Sequence, residues 1–113
     1  ASQRGDRILV SGTTPTPEEI ASGGMNSPEK QARAVLEKIR IAVEALGGSL
    51  ADVVRIRTYI SDASYVESVA LVQGEVFRDI NPANTLVQAG LIGEGVLVEI
   101  EAEAVLDGLP NKP

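Results

Sequence analysis

Apolar and polar residues alternate along the segment Val96–Val105, which reads VLVEIEAEAV. Because successive side chains of a β-strand point to opposite faces, the alternation predicts a strand with one apolar face. The reverse face carries Glu99, Glu101 and Glu103, spaced roughly 7 Å apart. These glutamates are either the solvated side of a sheet or part of a site. The apolar face comprises Val96, Val98, Ile100, Ala102 and Ala104.

A spacing of three and four residues between apolar positions predicts two helices. The first follows Ser27, a capping residue, and Pro28, which suits the first helical position; it ends at Gly47 and Gly48. Its buried stripe is Ala32, Val35, Leu36, Ile39, Ala42, Val43 and Leu46. The second helix lies between Ser61 and Pro82, with a weaker stripe of Val66, Val69, Val72 or Gln73, Val76 and Phe77.

Three further strands complete the pattern. They are DRILVSGTT, with Ile8 and Val10 inward, VVRIRTYI, with Val54, Ile56, Thr58 and Ile60 inward, and ANTLVQA. A loop is expected from Thr13 to Asn26, with a short strand or turn near Glu19, and GLIGEG reads as a hairpin connector. The tail from Leu106 to Pro113 is expected to be loose. Two helices with four or more strands that do not strictly alternate predict an α+β domain spanning 1–113, with both helices on one face of a mixed, mostly antiparallel sheet.

The charged faces of two strands would then point the same way. Arg55 and Arg57 would share a surface with the three glutamates, and Glu101 and Glu103 are expected either to pair with one of these arginines or to be hydrated. The surface is either an exposed face with weak ion pairs or a face covered by another subunit, with some charges left for a ligand.

The composition excludes several kinds of chemistry. The chain has no cysteine and no histidine, so it cannot supply a disulfide, a thiol nucleophile, a Cys/His zinc site or a histidine base. Its net charge of −6 and its three aromatic residues argue against nucleic-acid binding. There is no apolar run long enough for a membrane span and no signal-peptide pattern, so a cytoplasmic protein is expected.

The phrases VSGTTP, GGSLADVV followed by a strand, NPANTLVQAG and VLVEIEAEAV resemble the Rid family, the YjgF-type reactive intermediate deaminases, over nearly the whole chain. The resemblance implies a chorismate-mutase-like subunit and a homotrimer in which the uncovered sheet faces meet. It also implies inter-subunit clefts that bind small carboxylate or imine metabolites. Many members hydrolyse enamines or imines to 2-oxo acids and ammonia without metal or organic cofactor.

The family's functional positions map onto this chain in part. Ser11 and Gly12 match the ligand-contacting pair after the first strand, and Glu99 matches the catalytic glutamate thought to position the attacking water. Leu86 occupies a substrate-binding position that is often cysteine. The carboxylate-clamping arginine of deaminating members is replaced by Asn84, as in one branch of the family.

The replacement of arginine by asparagine leaves two hypotheses open. Asparagine loses the charge-assisted part of a bond to carboxylate, about 1.5–3 kcal/mol against roughly 1 for a neutral bond. The chain is therefore either an imine or enamine hydrolase with an altered clamp, using Glu99, or a trimeric small-ligand-binding protein without deaminase activity. RNA cleavage, a third activity associated with some relatives, is disfavoured by the charge and composition.

Overall fold

The computed structural model describes residues 1–106, and these form one sheet with helices on one side. The strands are β1 Ser2–Arg4, β2 Arg7–Thr13, β3 Val53–Ile60, β4 Ala83–Gln88 and β5 Val98–Val105. The α-helices are α1 Pro17–Glu19, α2 Pro28–Ala45 and α3 Val66–Val76, and short 3₁₀ turns at Leu50–Asp52 and Ala63–Tyr65 precede β3 and α3. The expected loose tail lies outside the described residues, except for Leu106.

The sheet is mixed, with the strand order β1-β2-β5-β3-β4. Neighbouring strands are antiparallel except β3 and β4, which run parallel. Helices α2 and α3 pack on one face, and their apolar stripes join the inward residues of β2, β3 and β5 in a single core. The predicted α+β class, with two helices over one face, is confirmed.

Helix α2 follows its predicted pattern closely. The Ser27 hydroxyl accepts a hydrogen bond from the Lys30 N–H, which satisfies a free donor of the first turn. Gly47, with a φ of +94°, follows the helix in a left-handed conformation that favours glycine. The stripe residues from Ala32 to Val43 are buried, apart from the partly buried Ala42, and face the sheet. No helix among residues 1–106 has both the length and the apolar character needed to cross a bilayer.

The inward face of β3 differs from the prediction at one position. Val53 is 2% exposed and belongs to the core, whereas Val54, predicted to face inward, is 47% exposed. The pairing of β3 with β5 shifts between Val53 and Arg55, as in a β-bulge, and this shift breaks the simple alternation.

The connections also differ from the prediction in three places. GLIGEG does not close a hairpin, because β5 pairs with β3 rather than with its sequence neighbour β4. The strand β1 was missed; it forms a hairpin with β2 around Gly5, whose φ is +59°. The expected loop after β2 contains α1 and a π-helical turn, Ile20–Gly24, which begins at the buried Ile20.

A buried glutamine, Gln31, connects two of these segments to helix α2. Its amide nitrogen donates to the carbonyls of Gly24, at 2.9 Å, and Gly95, at 2.8 Å. Its side-chain oxygen accepts the N–H of Leu97 at 2.7 Å. One side chain thus satisfies backbone groups of both segments, and it holds the start of β5 in place.

Replacing Gln31 with leucine should lower the free energy of unfolding by about 2–4 kcal/mol, because the buried carbonyl of Gly24 and the partly buried groups of Gly95 and Leu97 would lose their hydrogen bonds. Chemical denaturation at fixed protein concentration measures the change. The matched control is Lys30→Leu at the neighbouring exposed position, which should change stability by about 0.5 kcal/mol or less. Equal effects of the two substitutions would contradict the role given to Gln31.

Candidate functional site

Two of the three glutamates on the open face of the sheet, the face without helices, are held by cross-strand partners. Glu101 accepts hydrogen bonds from the Arg57 guanidinium at 3.0 Å and from the Tyr59 hydroxyl at 2.8 Å. Glu103 pairs with Arg7. The predicted pairing of Glu101 with an arginine of β3 is therefore confirmed. The same prediction for Glu103 is wrong, since its partner lies on β2.

The third glutamate, Glu99, has a different environment. Within residues 1–106 its carboxylate makes no hydrogen bond or ion pair, and it lies against Gly12. A Cβ atom at Gly12 would overlap with the Glu99 carboxylate, so the absence of a side chain there leaves room for it. Ser11 and Gly12 lie where the pairing of β2 with β5 shifts, between Val10 and Thr13. The structure thus brings Ser11, Gly12 and Glu99 together.

The other two predicted residues, Asn84 and Leu86, lie on the opposite face. Strand β4 pairs in register with β3, which places Asn84 beside Ile56 and Leu86 beside Thr58 on the side that the helices cover. Leu86 is partly buried against the core, whereas Asn84 is exposed at this edge of the sheet. These two side chains therefore do not meet Glu99 within one chain.

Asn84 belongs to a closed ring of three hydrogen bonds. The Thr58 hydroxyl donates to Asn84 Oδ1 at 3.1 Å, and Asn84 Nδ2 donates to Gln73 Oε1 at 3.1 Å. Gln73 Nε2 donates back to Thr58 Oγ1 at 2.8 Å. Thr58 and Gln73 are buried, so the ring satisfies polar groups that would otherwise be costly to bury. We call it the polar ring.

A surface cavity of about 240 Å³ lies beside the polar ring, between α3 and the edge of the sheet. Its polar lining residues are Asn84, Gln73 and Asn81, and the other lining residues, Ile56 and Phe77 among them, are apolar or glycine. None of its lining residues is charged. Among residues 1–106 no cluster of acidic side chains could hold a metal ion.

Thr58 and Gln73 are the residues that sequence reasoning missed. The pattern of apolar positions indicated both residues. Thr58 lies on the apolar side of the β3 pattern, and Gln73 is the alternative to Val72 at one position of the helical stripe. A polar residue at an inward position needs a partner. Which partner it finds depends on the parallel pairing of β3 with β4, and that pairing is not visible in the pattern.

These features define a small α+β subunit with separate polar clusters on its two sheet faces, and comparison with known proteins gives its family. The sequence profile of the family described as Endoribonuclease L-PSP matches residues 1–106. A RutC family protein of Pyrococcus horikoshii is 31% identical over 92% of this chain and 82% of its own length. The chain belongs to this family, and the resemblance to Rid (YjgF-type) proteins is confirmed.

Solved structures agree with this assignment. A member of the YjgF/YER057c/UK114 family from Mycobacterium tuberculosis is 37% identical, with a TM-score of 0.80 over 92% of this chain and 82% of the other. A protein of unknown function from Pseudomonas aeruginosa is 29% identical, with a TM-score of 0.83 over 91% and 77% of the two chains. The predicted chorismate-mutase-like arrangement is confirmed, and family membership supports small-molecule binding by an oligomer.

The contact between Tyr59 and Glu101 generates a pH prediction. The hydrogen bond to Glu101 raises the pKa of Tyr59 above its usual value of 10.0, and desolvation adds to the effect. Any stability from this contact is therefore fully present below pH 10 and is lost as the pH rises through the higher folded-state pKa. Ultraviolet titration in a Tyr65→Phe background should show the raised pKa, and Glu101→Gln should lower it. An unchanged titration curve in that variant would refute the assigned cause.

Proposed function

We propose that the protein is a homotrimer that hydrolyses an enamine or imine in clefts between subunits, releasing ammonia and leaving a carbonyl compound. The observation that supports this most strongly is the environment of Glu99. The neighbouring glutamates are bound by Arg57, Tyr59 and Arg7. Glu99 has no such partner among the described residues, and its carboxylate lies where a side chain at position 12 would be. A carboxylate in that state can accept a proton from water.

For an imine the reaction needs only proton transfers of this kind, and an enamine first tautomerises to the imine by gaining a proton on carbon and losing one from nitrogen. As the water oxygen attacks the imine carbon, Glu99 accepts a proton and passes it to the nitrogen, which gives a carbinolamine. Glu99 then accepts the hydroxyl proton and returns it to the amino nitrogen while the C–N bond breaks and ammonia leaves. A positioned general base contributes about 10²–10⁴-fold to such a step. Ser11 and Gly12 lie beside Glu99 and would contact the substrate there.

A trimer would bring the second cluster to the same substrate. Glu99 and Asn84 lie on opposite faces of one sheet, so a cleft that both of them flank must combine residues of two subunits. The open face also carries exposed aliphatic side chains between its ion pairs, with Leu9 45% exposed and Val87 41% exposed. Burial of this apolar area against neighbouring subunits would favour association. In the cleft, Asn84 and Leu86 would hold the end of the substrate remote from Glu99.

One observation favours a second candidate, a trimer that binds a small ligand without chemistry. Asn84 carries no charge, and its amide is already engaged in the polar ring. It therefore clamps a carboxylate less strongly than the arginine of deaminating relatives would. RNA cleavage is not proposed, because the net charge of −6 repels phosphates and the chain has no histidine.

Replacing Glu99 with glutamine should lower kcat by about 10²–10⁴-fold, since glutamine keeps the shape of the side chain but cannot accept the proton. The measurement is ammonia release from imines generated in situ, with a panel of 2-aminoacrylate, branched-chain imines and the carboxamides of these compounds. Glu103→Gln, on the same face and strand, is the matched control and should keep activity within about twofold.

Two results would count against the hydrolase. Full activity of Glu99→Gln would remove the role given to this residue. Stabilisation of the wild type by a panel compound in a thermal-shift assay, with the compound recovered unchanged, would favour the non-catalytic candidate.

A further inference from the structure

We propose that the cavity beside the polar ring takes a primary carboxamide rather than a carboxylate, so that the preferred substrate is uncharged at that end. The inference rests on the proposed function in one respect, namely that Asn84 holds one end of the substrate. It follows from the hydrogen-bonding capacity that the polar ring leaves to Asn84 and from the absence of charge in the cavity.

The polar ring leaves Asn84 one donor and one acceptor for a ligand. A primary amide has two N–H hydrogens and an oxygen with two lone pairs. The contacts with Thr58 and Gln73 use one hydrogen and one lone pair of Asn84. The same count holds if the hydrogen bonds run in the opposite sense around the ring. A carboxamide has both donor and acceptor atoms, so it can bond to either of the two remaining positions of Asn84.

A carboxylate fits this cavity poorly on two counts. It has only acceptor atoms, so it can bond to the remaining hydrogen of Asn84 but not to the remaining lone pair of Oδ1. Its negative charge would also enter a space without a charged lining residue, next to the apolar surfaces of Ile56 and Phe77. Desolvation of a charge without a partner is unfavourable, whereas a neutral amide with satisfied hydrogen bonds avoids that cost.

Gly74 of helix α3 gives a separate means of testing the cavity. It lines the cavity, and a Cβ atom built there would find no other atom within 4 Å. A glycine inside a helix is unfavourable relative to alanine. Gly74→Ala should therefore raise the melting temperature, and the bulkier Gly74→Leu should block the cavity without touching the polar ring.

The test compares the binding of 2-oxobutanamide and 2-oxobutanoate, two product analogues that differ only in this group, by isothermal titration calorimetry. The wild type should bind the amide about tenfold more tightly than the acid or better. Asn84→Arg should reverse this preference, because a guanidinium has only donors and supplies the positive charge that suits a carboxylate. Gly74→Leu should weaken binding of the amide at least tenfold. Leu71→Ala, at an exposed position of the same helix outside the cavity lining, is the control and should have a small effect.

Equal or tighter binding of 2-oxobutanoate by the wild type would overturn the inference, and so would failure of both compounds to bind. The inference and the proposed function fail in different assays. Preferential binding of the amide without ammonia release from any imine would reject the hydrolase and keep the carboxamide site. Hydrolysis that depends on Glu99, with tighter binding of 2-oxobutanoate, would reject the carboxamide site and keep the hydrolase.

Discussion

The alternation of side chains across the sheet is the constraint on which the functional account depends. Glu99 of β5 points to the open face, and Asn84 of β4 points to the face that the helices cover. No rotamer change moves a side chain through a sheet, so under the proposed function one chain would hold two half-sites rather than a complete site. Oligomerisation would then assemble the cleft as well as bury the apolar part of the open face, where Leu9 and Val87 are exposed.

Each half-site takes its chemical character from neighbouring residues. Three similar glutamates lie on one strand, and Arg57, Tyr59 and Arg7 engage two of them, which leaves Glu99 available beside Gly12. Asn84 likewise has a structural role besides its position in the substrate clamp. It completes the polar ring with the buried Thr58 and Gln73, so a change at position 84 also changes the hydrogen bonding of the core edge. The asparagine and its two partners form one structural unit.

Periodicity predicted the elements well, because the stripe of α2, most of the stripe of α3 and the alternation of β5 follow directly from side-chain geometry. Val66, predicted as part of the α3 stripe, is instead 39% exposed at the start of the helix. Periodicity failed where the backbone departs from regular geometry, as at the β3 shift that buries Val53 and exposes Val54. It also failed for strand order and direction: β5 pairs with β2 and β3 rather than with β4, and the parallel pairing of β3 with β4 creates the polar ring. The burial of Gln31 was not predicted, because its partners are backbone groups and no pattern of side chains reveals them.

The most direct test of a shared site is to mix two defective variants. Glu99→Gln and Asn84→Ala chains are combined in equal amounts, allowed to exchange subunits, and assayed for imine hydrolysis against each variant alone. If each cleft takes Glu99 from one subunit and Asn84 from its neighbour, about one quarter of the clefts in the mixture are intact, and activity should recover to about one quarter of the wild-type value. Activity no higher than the average of the two variants would contradict the account.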